Sequence, residues 1–259
     1  RDTLIGLANL SADDRVLVYR ADGGLLLWPS TRITLNGCTA GIFEHQEAMQ
    51  SALRYAETFE FLNRPIMTAH PASIRRDEKT AETSNSKALF PDLAFDVVLS
   101  YNPATTADGF TAFFSRIAQE YIAGARILFA FALPQQGLRL SALLPPDETV
   151  TCFAAAEAEF FSDSRNKHTA WTENTVTDSA EKAGYRVQLS KKVFYQEKRL
   201  VTQAELRRWF SIESEYGATI RSAFASNEGA LEKIILQLEQ RCRKPAVYTR
   251  TVVYMSIAE

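Results

Sequence analysis

The sequence predicts an α/β protein built on a seven-stranded, mostly parallel sheet, with a helical insertion before the last strand. Three observations lead there. Strands alternate with helix-like stretches through the first half of the chain. An apolar strand runs into a tight turn and a helix at residues 16–27, V-L-V-Y-R-A-D-G-G-L-L-L, and the chain closes on the apolar strand A-V-Y-T-R-T-V-V-Y-M-S-I. Such alternation implies a parallel sheet covered on both faces, because parallel neighbours need a crossover and a helix is the usual one.

Taken in order, strands are expected at residues 15–19, 38–43, 65–69, 95–101 and 125–132, with helices at 44–62 and 106–121 between them. Residues 73–87, rich in Ser, Thr, Glu and Lys, read as a solvated loop. Beyond the fifth strand, short helical segments are expected at 138–144, 152–161 and 175–183. A long alternating strand follows at 185–195, with Val187, Leu189 and Val193 on its apolar face. The helical insertion spans 202–241, where Thr202 is the expected N-cap and Glu205 stands at the capping-box position. Residues 246–257 form the closing strand. The chain is thus expected to divide into a core at 1–145 and a part at 146–259 that completes the sheet.

Composition bounds the function. At 259 residues, 46% hydrophobic and 23% charged, the chain can bury a sizeable core. No apolar run approaches the roughly 18 to 20 residues of a membrane helix, and no signal peptide is legible, so a membrane partner is not expected. Cys38, Cys152 and Cys242 are odd in number and lack metal-ligand spacing, which fits a reducing, cytoplasmic setting. A net charge of −2 argues against a whole-domain grip on nucleic acid and leaves only a local patch. The chain opens at Arg1 without a methionine, and we expect a piece of a longer polypeptide. No Ser-His-Asp arrangement, metal cluster or G-K-[ST] phosphate loop can be read.

The carboxyl end of the first strand is where nucleoside- and dinucleotide-binding α/β domains carry their glycines, as G-x-G-x-x-G or G-x-G-x-G. Glycine there permits positive φ and lets a ligand touch the main chain. Here Arg20 stands at the first glycine position and Asp22 at the second, and Gly24 survives with Gly23 beside it. The scaffold of a cofactor site is kept while its cofactor contact is altered. Arg20 and Asp22 read either as a self-paired surface turn or as ligands of something anionic. His45 and His70 fall near the carboxyl ends of strands two and three, where open sheets place their sites. His45 is a candidate base or a surface residue at a helix start. Trp28 reads as core, and Trp171 and Trp209 as anchors of the C-terminal part.

Several strings carry a family resemblance. They are R-D-T-L-I-G-L-A-N-L-S-A-D-D-R-V-L-V from Arg1, L-L-L-W-P-S-T-R from Leu25, F-D-V-V-L-S from Phe95 and G-A-R-I-L-F-A-F-A-L-P-Q-Q-G from Gly124. To these the C-terminal part adds W-T-E-N-T-V-T-D-S-A-E-K-A-G-Y-R-V from Trp171 and L-V-T-Q-A-E-L-R-R-W-F-S from Leu200. Over nearly its whole length the chain resembles the class I S-adenosylmethionine-dependent methyltransferase-like domain fused behind replication-associated recombination AAA+ ATPases. The resemblance implies a Rossmann-like sheet whose last strand returns antiparallel, and S-adenosylmethionine as the cofactor. It carries over, position by position, to Arg20, Asp22 and Gly24 in the glycine loop. Glu44 becomes the carboxylate for the ribose diol, with Phe43 the alternative occupant of that slot. His70 stands where an acid faces the adenine amine, and Asn102-Pro103 is similar to the start of the N-P-P-Y signature. The acid expected at the end of strand one is replaced by Val18 or Tyr19, and no catalytic residue or metal ligand is assigned.

These departures weigh against cofactor binding. A carboxylate on ribose hydroxyls is worth about 1.5 to 3 kcal/mol, and a guanidinium beside a sulfonium repels it. The resemblance therefore implies a catalytically degenerate module that regulates or docks to the AAA+ ATPase. The alternative is an active methyltransferase with an atypical pocket of Glu44, His70 and Asn102. A further expected contact is DNA. Lys198, Arg199, Arg207, Arg208, Arg221, Lys233, Arg241, Arg243, Lys244 and Arg250 alternate with Phe194, Tyr195, Trp209, Phe210 and Tyr216, although acids are mixed among them.

Overall fold

A computed structural model describes residues 1–69, 89–90, 93–120 and 124–258. The solvated loop expected at 73–87 lies outside the described residues. Seven described strands form one sheet: β1 (Arg15–Tyr19), β2 (Cys38–Phe43), β3 (Ile66–Ala69), β4 (Val97–Tyr101), β5 (Arg126–Ala132), β6 (Arg186–Arg199) and β7 (Ala246–Ala258), in the order β3-β2-β1-β4-β5-β7-β6. β1 pairs in parallel with both β2 and β4, Val16 lying opposite Thr39 on one side and Val97 on the other. The order reverses between those two neighbours. That is the switch point outside which open α/β sheets form their ligand crevice.

Two compact units divide the chain. The first comprises residues 1–131, 173–191 and 253–259, the second 132–172 and 192–252, so β6 and β7 each contribute to both. In the first unit, Val16, Leu17 and Val18 of β1 and Val97, Val98 and Leu99 of β4 are buried without alternation, as expected of strands covered on both faces. The covering elements include α1 (Asp2–Ala8), α2 (Leu27–Ile33), α3 (Gln46–Ala56), α4 (Ala107–Glu120) and, from later in the chain, Glu173–Lys182. In α4 the buried Phe110, Phe113, Phe114 and Ile117 recur at helical spacing along one face. Their rings meet β5: Phe114 lies 5.4 Å from Phe129 and Phe110 lies 5.5 Å from Phe131, both edge to face. Each fully buried ring contributes about 1.5 to 3 kcal/mol. α4 is therefore held by an aromatic seam.

The second unit has its own core. α5 (Glu148–Ser162) is capped by Asp147, whose carboxylate accepts the Val150 N–H at 2.7 Å. The segment Glu173–Lys182 is numbered α6, and the insertion expected at 202–241 resolves into α7 (Gln203–Trp209), α8 (Glu215–Ala223) and α9 (Glu228–Arg241). Thr202 and Glu205 form the expected capping box. Ser214 and Asn227 cap the next two helices through their side chains, so caps rather than apolar periodicity cut the insertion into three. Phe153, Leu206, Phe210, Ile220, Ile234 and Leu238 pack together at its centre. The helical segment expected at 138–144 is a 3-10 turn at Ser141–Leu143. No described helix is long and apolar enough to cross a membrane.

Candidate functional site

The crevice at the carboxyl ends of β1, β2 and β4 is a cavity of about 340 Å³ in the first unit, lined among others by Arg20, Asp22, Glu44, His45, Tyr101 and Asn102. Its floor is set by backbone. Ala21 N–H donates to Ile42 O at 2.8 Å and Gly24 N–H to Ala21 O at 2.7 Å, which closes the turn between β1 and α2. Gly24 has φ +63°, and a Cβ there would stand 2.1 Å from Nε1 of Trp28, so glycine is required on both counts. Trp28 is half-buried rather than core. Its indole stacks on Phe59 at 5.7 Å and meets Tyr55 edge-on at 4.7 Å.

Arg20 also sits at positive φ, +58°. This is the left-handed conformation that the first glycine of the loop takes without strain, and it costs a residue with a Cβ about 1 to 3 kcal/mol. The side chain's own bonds hold it there. Nη1 donates to the main-chain oxygen of Asn102 at 2.6 Å, and Nη2 pairs with Glu44 Oε2 at 2.6 Å. Asn102 has φ +50°, which Asn tolerates better than most residues. Its N–H donates to Ala130 O at 2.7 Å.

Asp22 does not pair with Arg20, so the self-paired turn is corrected: the two charges reach in different directions. The Asp22 carboxylate accepts the N–H of Glu44 at 3.0 Å and of His45 at 2.8 Å, and lies 3.0 Å from His45 Nδ1. It thereby ties the β1–α2 loop to the start of α3. His45 is the N-cap of that helix, with an exposed side chain. The helix begins at Gln46, after His45 in extended backbone.

Phe43 and Glu44 differ in where they stand. Phe43 is fully buried, whereas Glu44 lines the cavity, so Glu44 is the acid at the end of β2. Ligand atoms of Asp22, Glu44 and His45 lie within 4.8 Å of one another, a convergence that sequence spacing did not reveal. Glu44 is already ion-paired with Arg20, and both Asp22 oxygens take main-chain N–H groups. His70 lies outside the described residues. Arg20, Asp22, Glu44 and Asn102 are thus brought together, with Gly24 shaping the turn.

No protein-family model and no curated protein matches this chain. Solved structures do. A Bacillus halodurans protein assigned as a methyltransferase superposes with TM-score 0.52 at 11% identity, over 99% of this chain and 96% of that one. The cyclopropane synthase MmaA2 from Mycobacterium tuberculosis gives 0.52 at 12% identity, over 100% and 82%. The mycolic acid cyclopropane synthase CmaA1, solved with S-adenosylhomocysteine, gives 0.50 at 12%, over 98% and 82%. The fold is that of a class I methyltransferase. At such identities the likeness speaks for the fold alone.

Proposed function

We propose that this methyltransferase-like domain is a pseudoenzyme whose cofactor seat is closed by its own Arg20, and that it acts as an interaction and regulatory module of a DNA replication or recombination AAA+ ATPase. One observation carries the first half. The carboxylate best placed for a ribose diol, Glu44, is bonded at 2.6 Å to Arg20, whose cation lines the crevice and would repel a sulfonium bound there. The second half rests on the string resemblance across the chain and on exposed basic residues of the second unit, Lys198, Arg207, Arg208, Arg241, Arg243 and Lys244, among which acids are interspersed. These charges suit phosphate contacts with DNA.

S-adenosylmethionine remains the reference ligand, because the CmaA1 neighbour was solved with its demethylated product. Calorimetry of S-adenosylmethionine against the chain and against Arg20→Gly tests the reading. We expect no heat from the unaltered chain at millimolar ligand, and measurable binding once Arg20 is removed and Glu44 freed. Micromolar binding by the unaltered chain would overturn the closed-seat reading and favour an active enzyme with an atypical pocket. For the partner, the expected result is co-migration with the ATPase module and a changed ATPase rate.

A further inference from the structure

The second unit holds a cavity of about 270 Å³ whose walls are Phe160, Phe161, Trp209, Tyr216 and Tyr248, with Glu157 and Arg199 also lining it. That volume is just below the roughly 300 Å³ at which sites for drug-sized ligands begin, so it suits one ring system rather than an extended chain. Phe160 meets Tyr216 edge to face at 5.3 Å. Polar groups mark the cavity as built for more than an apolar plug. The Tyr248 hydroxyl is buried without a hydrogen-bond partner, a condition that costs about 1 to 3 kcal/mol unless something fills it.

Glu157 is the second polar group. It is 1% exposed. Oε1 accepts the Leu140 N–H at 3.0 Å and the Tyr216 O–H at 2.8 Å, while Oε2 accepts only the Ser141 N–H at 2.8 Å. A carboxylate offers about four acceptor positions, so Oε2 keeps one for an incoming donor. Two guanidiniums flank the aromatic walls: Arg139 lies 3.4 Å over the Phe161 ring and Arg199 5.5 Å from that of Tyr248. They disfavour a cationic guest and favour a neutral, electron-rich ring. Arg199 is itself ion-paired with Glu205.

We infer that this cavity takes a single unstacked nucleobase bearing an exocyclic amine, stacked among the aromatic rings and hydrogen-bonded at its edge by Glu157 and Tyr248. Stacking supplies most of the affinity, at a level typical of aromatic platforms for single strands. An exocyclic amine donates to Glu157 Oε2, and the neighbouring ring nitrogen accepts from Tyr248. Thymine, which lacks the amine, fits less well. The base arrives either in a single strand or as a free nucleoside. The first source rests on the DNA contact proposed above, with Lys198, Arg207 and Arg208 for phosphates; the second does not.

The probe is a dye-labelled oligothymidine carrying one 2-aminopurine, titrated with the full chain, alongside free 2-aminopurine riboside. Anisotropy reports strand binding and 2-aminopurine emission reports stacking of that base. We expect both signals for the oligonucleotide, with the emission change weakened about tenfold in Trp209→Ala and at least threefold in Tyr248→Phe. The second variant keeps or raises the melting temperature, which separates lost recognition from lost folding. Anisotropy without an emission change, or an emission change equal in both variants and the unaltered chain, overturns the cavity and leaves the DNA contact standing. Emission with the riboside alone supports the cavity and overturns the DNA contact. Silence in both arms overturns both.

Discussion

Two cavities among the described residues are built in opposite ways. In the crevice of the first unit, Arg20, Asp22 and Glu44 are bonded to one another's loops, and a strained backbone at Arg20 is held by the bonds of its own side chain. In the aromatic cavity of the second unit, Glu157 takes two main-chain N–H groups and the Tyr216 hydroxyl, while the Tyr248 phenol is left without a partner. The difference is instructive about where function resides. A site whose charges neutralise each other internally gives a ligand little to gain, whereas a buried group left unsatisfied gives a complementary ligand the whole of that deficit.

The largest effect that would sharpen this contrast is expected at Glu157. Glu157→Ala strands two main-chain N–H groups and the Tyr216 hydroxyl in a buried place, and should destabilise the second unit by about 4 kcal/mol. Urea unfolding followed by Trp171 and Trp209 emission reads it; a loss under about 1 kcal/mol would mean that the carboxylate does not organise the cavity. Next is Gly24→Ala, which combines a positive φ with a collision against the Trp28 indole. A loss of about 2 kcal/mol in the same measurement is expected.

Arg20→Gly should be near neutral for stability, within about 1 kcal/mol, because relief of backbone strain offsets a partly exposed ion pair. A large destabilisation would show that the Arg20 bonds hold the crevice together rather than merely fill it. Tyr248→Phe should gain up to about 1 kcal/mol by removing a buried, unpartnered hydroxyl. Burial, its largest cause, pushes the Tyr248 phenol up to about 12. The native state therefore holds this proton more tightly than the unfolded chain. That stability is complete below pH 10 and is lost as pH rises toward 12, so the variant should flatten the alkaline limb of a pH–stability curve.

The smallest effect is at the capping box. Main-chain and hydroxyl bonds from Thr202, with Arg199 beside it, hold the Glu205 carboxyl below its ordinary 4.5. Its contribution is present above that value and disappears as pH falls through the lower native one. Glu205→Gln should remove that acid dependence at a cost under about 1 kcal/mol.

Much of the fold was legible because it is written in local signals. β1 and β2 fall where apolar runs place them, and the capping box at Thr202 and Glu205 is visible as residue types at fixed spacing. β4 begins two residues later than read, although the Asp96 main chain already bonds to Arg15 and Arg126 at the starts of β1 and β5. α3 is shorter than read mainly at its far end, where it stops at Ala56 and a separate 3-10 turn forms at Phe61–Asn63.

By itself the sequence determined the seven-stranded α/β order, the altered glycine loop with Arg20, Asp22 and Gly24, and Glu44 and Asn102 as its neighbours in the crevice. Only the tertiary structure decided that Arg20 pairs with Glu44 and not with Asp22, that Phe43 turns inward, and that Glu157, Tyr216 and Tyr248 surround one cavity. The reason is physical: apolar periodicity and caps act over a few residues, whereas an ion pair or an aromatic wall depends on which strand ends and helix faces the completed sheet brings within a few ångströms of each other.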